Sequence, residues 1–101
     1  MIPKFLVQKA AAARIRNIYS YTQETWSKKQ AKDYNEGLFQ TFEDIAEKRV
    51  VWRPIPAEFE VSGFYTTYKK HVIYWKELQS GQIGIVTVLH ERMHQIARFP
   101  R

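Results

Sequence analysis

The sequence predicts an α+β fold: an N-terminal strand, then an antiparallel helical hairpin packed on a small, mainly antiparallel sheet. Two observations predict it. Apolar residues recur at helical spacing between Lys9 and Lys48, and the stretch from Phe59 to His90 is dense in Val, Ile, Tyr, Phe and Thr. A chain of 101 residues with 45% hydrophobic and 15% aromatic content supports one core and one domain, residues 1–101. Folding a chain of this size buries roughly 60 to 70% of the surface its unfolded form exposes, and that much apolar side chain offsets the entropy of ordering the backbone.

Ile2 to Val7 is short, β-branched and aromatic, and reads as a first strand that Pro3 pushes toward a sheet edge. From Lys9 onward Ala11, Ile15, Ile18 and Thr22 step along one face of a first helix, with Arg14, Arg16 and Asn17 elsewhere. Ser27 followed by Gln30 is a capping-box pattern that opens a second helix. Its apolar stripe is Ala31, Tyr34, Leu38, Phe42 and Ile45, while Lys32, Asp33, Glu36, Glu43 and Glu47 fall largely off it. The linker is a few residues long, so the helices pair antiparallel with Trp26 near the corner.

Pro54 and Pro56 prevent further helix and leave an extended connection from Val50 to Glu58. Three strands follow as an antiparallel meander: Phe59 to Tyr68, His71 to Leu78 and Ile83 to His90, broken at Lys69-Lys70 and at Gln79 to Gln82. In the last strand Ile83, Ile85 and Leu89 share one face and Val86 and Val88 the other, which predicts a strand buried on both sides in the centre of the sheet. The chain then runs into an acid-free basic tail, Arg92 to Arg101. Met93, Ile96 and Phe99 recur every three residues there, as in a short helical turn with one apolar side.

Composition narrows the function. A formal net charge of +6 favours an anionic partner, whether nucleic acid, an acidic protein or a membrane surface, and does not choose among them. The absence of cysteine excludes disulfides and thiolate chemistry, and three scattered histidines predict no metal site; no cofactor is expected. Phe5-Leu6-Val7 is far shorter than a signal sequence's apolar region, and nowhere do about 18 apolar residues run consecutively. The expectation is a soluble, cytoplasmic protein that does not engage a membrane.

In order and spacing, the chain resembles the ParE/RelE superfamily of toxins from type II toxin-antitoxin systems, and its ParE branch in particular. The resemblance rests on Ile18-Tyr19-Ser20-Tyr21-Thr22, Trp26-Ser27, Gln30-Ala31 with Tyr34 and Leu38, and Lys70-His71-Val72-Ile73-Tyr74-Trp75. It ends in Ile85 through Val88-Leu89-His90-Glu91-Arg92-Met93. It implies a toxin that inhibits DNA gyrase, blocks replication, and is neutralised by a cognate antitoxin. The RelE branch instead cleaves mRNA on the ribosome, so fold does not decide between the two and site chemistry must.

A nuclease of that kind must deprotonate a ribose 2'-OH, stabilise a pentacoordinate phosphate and protonate the leaving oxygen. Lys69, Lys70, Lys76, His90, Arg92 and His94 are the candidates, and they fit that demand poorly. Lys69 and Lys70 read as a solvated turn, Lys76 is an isolated charge on an aromatic strand, and His71 and His90 flank strands, where histidine commonly serves as a hydrogen-bonded structural group. No catalytic residue is therefore assigned. His90 stands where strand meets tail, so an ordering hydrogen bond there would set the tail's direction.

By resemblance, the C-terminal region is implicated in toxicity, which carries onto Arg92, Met93 and Arg98, with His90 and His94 beside them as target-binding candidates. His94 departs from the Asp that commonly follows Arg-Met in relatives, and the connection around Pro54 and Pro56 lacks the usual Gly-Arg. Phe39 lies beside the second helix's apolar stripe, on a flank that an antitoxin helix would cover. An acidic antitoxin suits the +6 charge as well as DNA does, so direct nucleic-acid binding is not expected. A general nucleic-acid-binding domain is the third reading, and neither an aromatic-basic ribonucleoprotein pattern nor helix-turn-helix spacing supports it.

Overall fold

The computed structural model describes residues 4–56 and 62–93. Strand β1 (Phe5–Val7) leads into helix α1 (Lys9–Thr25) and helix α2 (Lys28–Ala46), followed by β2 (Arg53–Pro54), β3 (Phe64–Tyr68), β4 (His71–Glu77) and β5 (Ile83–His90). A single 3-10 turn, Glu91–Met93, closes the described chain. The sheet order is β1-β5-β4-β3-β2; β1 is parallel to β5 and every other pairing is antiparallel.

The hairpin forms as its sequence signals require. Ser27 has extended backbone, and its Oγ accepts a hydrogen bond from the Gln30 N–H at 3.0 Å, satisfying a donor that the first turn of α2 leaves free. Trp26 closes α1 by donating its backbone N–H to Thr22 O, and its indole is 67% exposed at the corner. Ala11 and Ile15 of α1 and Leu38, Phe42 and Ile45 of α2 are buried against Ile73, Trp75, Ile83, Ile85 and Val88 of the sheet. Each fully buried Leu, Ile or Phe contributes about 1.5–3 kcal/mol, so this layer holds the hairpin to the sheet.

Trp75 is fully buried at its centre. Trp52 and Phe64 pack on it with ring centroids 5.9 and 6.1 Å away, and the Trp52 indole N–H donates to Ile45 O at 3.2 Å, tying the connection to the end of α2. Ion pairs of Lys4 with Glu47 and of Arg49 with Asp44 and Glu47 lie outside this contact and are too exposed to add much.

Four details of the sequence reading are corrected. The connection after α2 contains a two-residue strand, β2, which pairs with β3; Pro54 lacks a backbone donor and therefore sits at the sheet edge. Because β2 adds a strand beyond β3, β4 is the middle strand, while β5 is interior between β1 and β4. Among the described residues β3 begins at Phe64, preceded by Gly63, whose φ of +136° favours glycine and where a side chain would meet Trp75 O at 2.7 Å. The expected strand's Phe59 to Val61 lie outside the described residues, as do Ile2 and Pro3 of the first strand.

The fourth correction matters most for function. Glu77 pairs with Ile83 and Trp75 with Ile85, yet Tyr74 pairs with Thr87, so Val86 is an extra residue in a β-bulge. One inserted residue reverses side-chain parity. Val88, not Leu89, shares the helix-facing side with Ile83 and Ile85, while Leu89 joins Val72, Tyr74 and Ile55 on the opposite face.

Candidate functional site

The same bulge brings two histidines together at the end of the β4–β5 ladder. Continued without a break, the Glu77–Ile83 register would place His71 opposite Leu89; the observed partner is His90. The Glu91 N–H donates to Lys70 O at 2.9 Å, so the His71–His90 pair lies at a non-hydrogen-bonded position, where facing side chains come closest. Their rings meet edge to face with centroids 5.4 Å apart, on the side facing the helices.

From α2, Tyr34 reaches this pair. Its hydroxyl lies 2.5 Å from His71 Nδ1, and the two rings are 5.5 Å apart. Burial is the main cause that pushes the His71 pKa down to about 4, and the neighbouring His90 adds to it while Glu91 opposes. Burial, helped by Tyr68, pushes the Tyr34 pKa up to about 12 against a backbone hydrogen bond from Lys70. At neutral pH both groups are uncharged, so the phenol donates, Nδ1 of His71 accepts, and the His71 proton resides on Nε2.

Tyr68 braces Tyr34. The rings stack edge to face at 5.0 Å, and the Tyr68 hydroxyl donates to Tyr34 O at 3.1 Å. This crossing needs Gly37, because a Cβ there would stand 2.1 Å from the Tyr68 oxygen. Lys69, held at φ +52° in the β3–β4 turn, places Nζ 5.5 Å from both tyrosine rings, a cation–π position.

On the other side of the pair, His90 Nδ1 accepts the Arg92 backbone N–H at 3.1 Å. The expected ordering bond at His90 is therefore present, and it fixes how the chain leaves β5. Arg92 is exposed, and Met93 ends the 3-10 turn. His94 and Arg98 lie outside the described residues.

Of the predicted site residues, the structure thus gathers His90, Arg92 and Met93 at one end of β5. Phe39 is elsewhere: it is 36% exposed on α2, with Phe5 of β1 at 6.5 Å and Phe42 at 5.1 Å. Lys76 pairs with Gly84 toward the opposite end of β4 and does not join the histidines. Lys70 is an exposed turn residue beside them. Tyr34 departs from its expected core role, being half-buried with its hydroxyl committed to His71. Tyr68 and Gly37 drew no notice in the sequence, and the pairing of His71 with His90 was hidden by the bulge.

Chemically this corner is a clasp. His71 is neutral and its Nδ1 is occupied, His90 Nδ1 holds a backbone amide, and Lys69 lies over aromatic rings, so these groups are spent on holding the chain. Among the described residues, no three His, Asp or Glu side chains come together as a metal site, and no helix is long and apolar enough to cross a membrane.

Comparison with known proteins gives a consistent answer. No curated protein sequence gives a significant match. Among solved structures, a chain from "Chromosomal ParDE TA system from P. aeruginosa" superposes with a TM-score of 0.69, covering 86% of this chain and 94% of that one at 13% identity, a likeness of fold. The family model described as "ParE toxin of type II toxin-antitoxin system, parDE" matches residues 5–95, nearly the whole described chain. This chain belongs to the ParE toxin family of type II toxin-antitoxin systems.

Proposed function

We propose that this ParE-family toxin acts in the cytoplasm by binding DNA gyrase and blocking replication, and that a cognate antitoxin neutralises it. The toxin acts by contact and not by catalysis. The observation that carries this reading is the Arg92 N–H···His90 Nδ1 bond, which holds the backbone of Arg92 against the end of an interior strand. With its backbone held, Arg92 loses less entropy on binding than a residue of a frayed terminus would, and its guanidinium suits carboxylate or phosphate surfaces. His90, Arg92, Met93, His94 and Arg98 are the target-binding set in this reading. Phe39, beside the edge strand β1, is the antitoxin-binding residue.

The ribosome-dependent nuclease reading asks for an acid, a base and a phosphate-stabilising group free to react. It is weakened because, among its candidates, His90 Nδ1 already accepts the Arg92 N–H, Lys69 lies over the Tyr34 and Tyr68 rings, and Lys76 pairs with Gly84 toward the far end of β4. The decisive experiment is a supercoiling assay with purified gyrase, relaxed plasmid and ATP, with the toxin alone or premixed with its antitoxin, beside ribosome-programmed mRNA cleavage. The expected result is lost supercoiling or trapped cleaved DNA, reversed by antitoxin, with mRNA intact. Unaffected gyrase with cut mRNA would overturn the proposal and return the basic residues to catalytic candidacy.

A further inference from the structure

We infer that Tyr34, His71 and His90 form a positioning relay that connects helix α2 to the root of the C-terminal segment, so that Tyr34 and His71 act on the target without touching it. This inference rests on the proposed role of that segment, and it adds two residues that no sequence signal placed there. Tyr34 is held from below by Tyr68, whose hydroxyl bonds Tyr34 O and whose passage requires Gly37. The Tyr34 hydroxyl fixes the ring of His71 through Nδ1. The His71 ring, at the close-approach position of the β4–β5 ladder, then stands edge-on against His90.

An imidazole has two rotamer-related ways to present its nitrogens, and only one brings Nδ1 of His90 to the Arg92 N–H. With His71 locked beside it, His90 keeps that presentation. The relay works only while uncharged. A proton on His90 Nδ1 removes the acceptor for Arg92, and a proton on His71 Nδ1 removes the acceptor for Tyr34. Burial at His71 guards the second condition. Among the described residues around the pair, Glu91 of the 3-10 turn acts electrostatically on His71, Lys69 of the β3–β4 turn lies over the rings of Tyr34 and Tyr68, Lys70 and Arg92 adjoin the pair through backbone hydrogen bonds, and Tyr34 and Tyr68 are the titratable groups on α2 and β3.

The test pairs a structural readout with a functional one on the full-length chain. Amide hydrogen exchange of Arg92, measured by NMR, reports the bond at the end of the relay, and gyrase inhibition reports its consequence. His90→Leu should speed Arg92 exchange and raise the half-inhibitory concentration, each by about fivefold, the worth of one net hydrogen bond. His90→Asn, whose Oδ1 stands near the position of Nδ1, should restore most of both. Tyr34→Phe should produce the same two changes in smaller measure while antitoxin affinity stays at the parent value, which general unfolding would not do.

Unchanged Arg92 exchange in His90→Leu and Tyr34→Phe would overturn the relay, as would a His90→Asn variant no better than His90→Leu. Should the parent protein leave gyrase untouched, the target reading falls by itself, and the exchange arm still decides for or against the relay.

Discussion

Tyr34 and Phe39 lie five residues apart on the same helix, and their surroundings are opposite in kind. Five residues turn an α-helix by about 140°, so the two side chains leave on different flanks. Tyr34 points to the β4–β5 end, where it meets His71 through a hydrogen bond and Tyr68 through its ring. Phe39 points toward β1, where its neighbours are Phe5 and Phe42 and part of its ring faces solvent. Polar geometry specifies one arrangement at the first flank, whereas the second offers apolar area that a partner can cover with little directional demand. One helix thereby separates the flank that positions the proposed target-binding segment from the surface proposed for neutralisation.

That separation breaks most visibly if the segment itself is removed. Deletion after Glu91 should raise the half-inhibitory concentration for gyrase by about thirtyfold or more, because clustered interface hot spots carry above 2 kcal/mol. The circular dichroism spectrum and antitoxin affinity should stay near the parent's. Loss of folding on deletion would make the segment part of the core and dissolve the distinction. Next in size is Phe39→Asp, expected to weaken antitoxin binding by about tenfold in calorimetry, since it places a charge where an apolar contact is proposed. Gyrase inhibition by the free variant should hardly move. Unchanged antitoxin affinity would locate neutralisation on another face.

Gly37→Ala sharpens the Tyr34 side of the comparison. Alanine favours helix by about 1 kcal/mol over glycine, so an unobstructed site would gain stability. Here the new Cβ collides with the Tyr68 oxygen and displaces its bond to Tyr34 O. Overpacking costs typically 1–3 kcal/mol, which leaves a net loss of about 1 kcal/mol in urea unfolding. A more stable variant would show that Tyr68 moves aside freely and does not brace Tyr34.

The elements were legible because their signals are local. Ser27 and Gln30 marked the start of α2, helical spacing gave the buried faces of both helices, and β-branched runs located the meander. The bulge at Val86 left no comparable trace, since both faces of the strand carry β-branched residues there, Thr87 included, and an unbroken alternation reads equally well. The grouping of Leu89 with Ile83 and Ile85 on one face followed from that alternation and failed with it. The consequence reached the site: an unbroken register puts His71 opposite Leu89, and only the extra residue brings His90 to it. His90 itself could be picked out because it stands at a strand end before a basic segment. Tyr34 looked like core because hydrophobic spacing records where a ring lies and says nothing about where its hydroxyl goes.

The smallest expected effect is a pH dependence that belongs to one flank only. His71 titrates at about 4 in the folded protein, below its ordinary value of 6.5, because burial penalises its charged form and His90 adds repulsion. The unfolded chain therefore binds more protons at this residue between those two values, and stability must fall as pH is lowered through that window. Above about 6.5 both states are neutral and the contribution is constant; below about 4 both are charged and the loss is complete. Since the ring is only partly buried, solvent screening reduces the nominal shift to about 1 kcal/mol. Carboxylates elsewhere also lose their pairings in acid, so the informative quantity is the difference between the parent and His71→Asn in urea midpoints at pH 7 and pH 4.5. The parent should lose more than the variant. In Phe39→Asp the sensitivity due to His71 should persist, because that side of α2 does not contact the histidines; its disappearance there would mean that the two flanks are coupled through the helix.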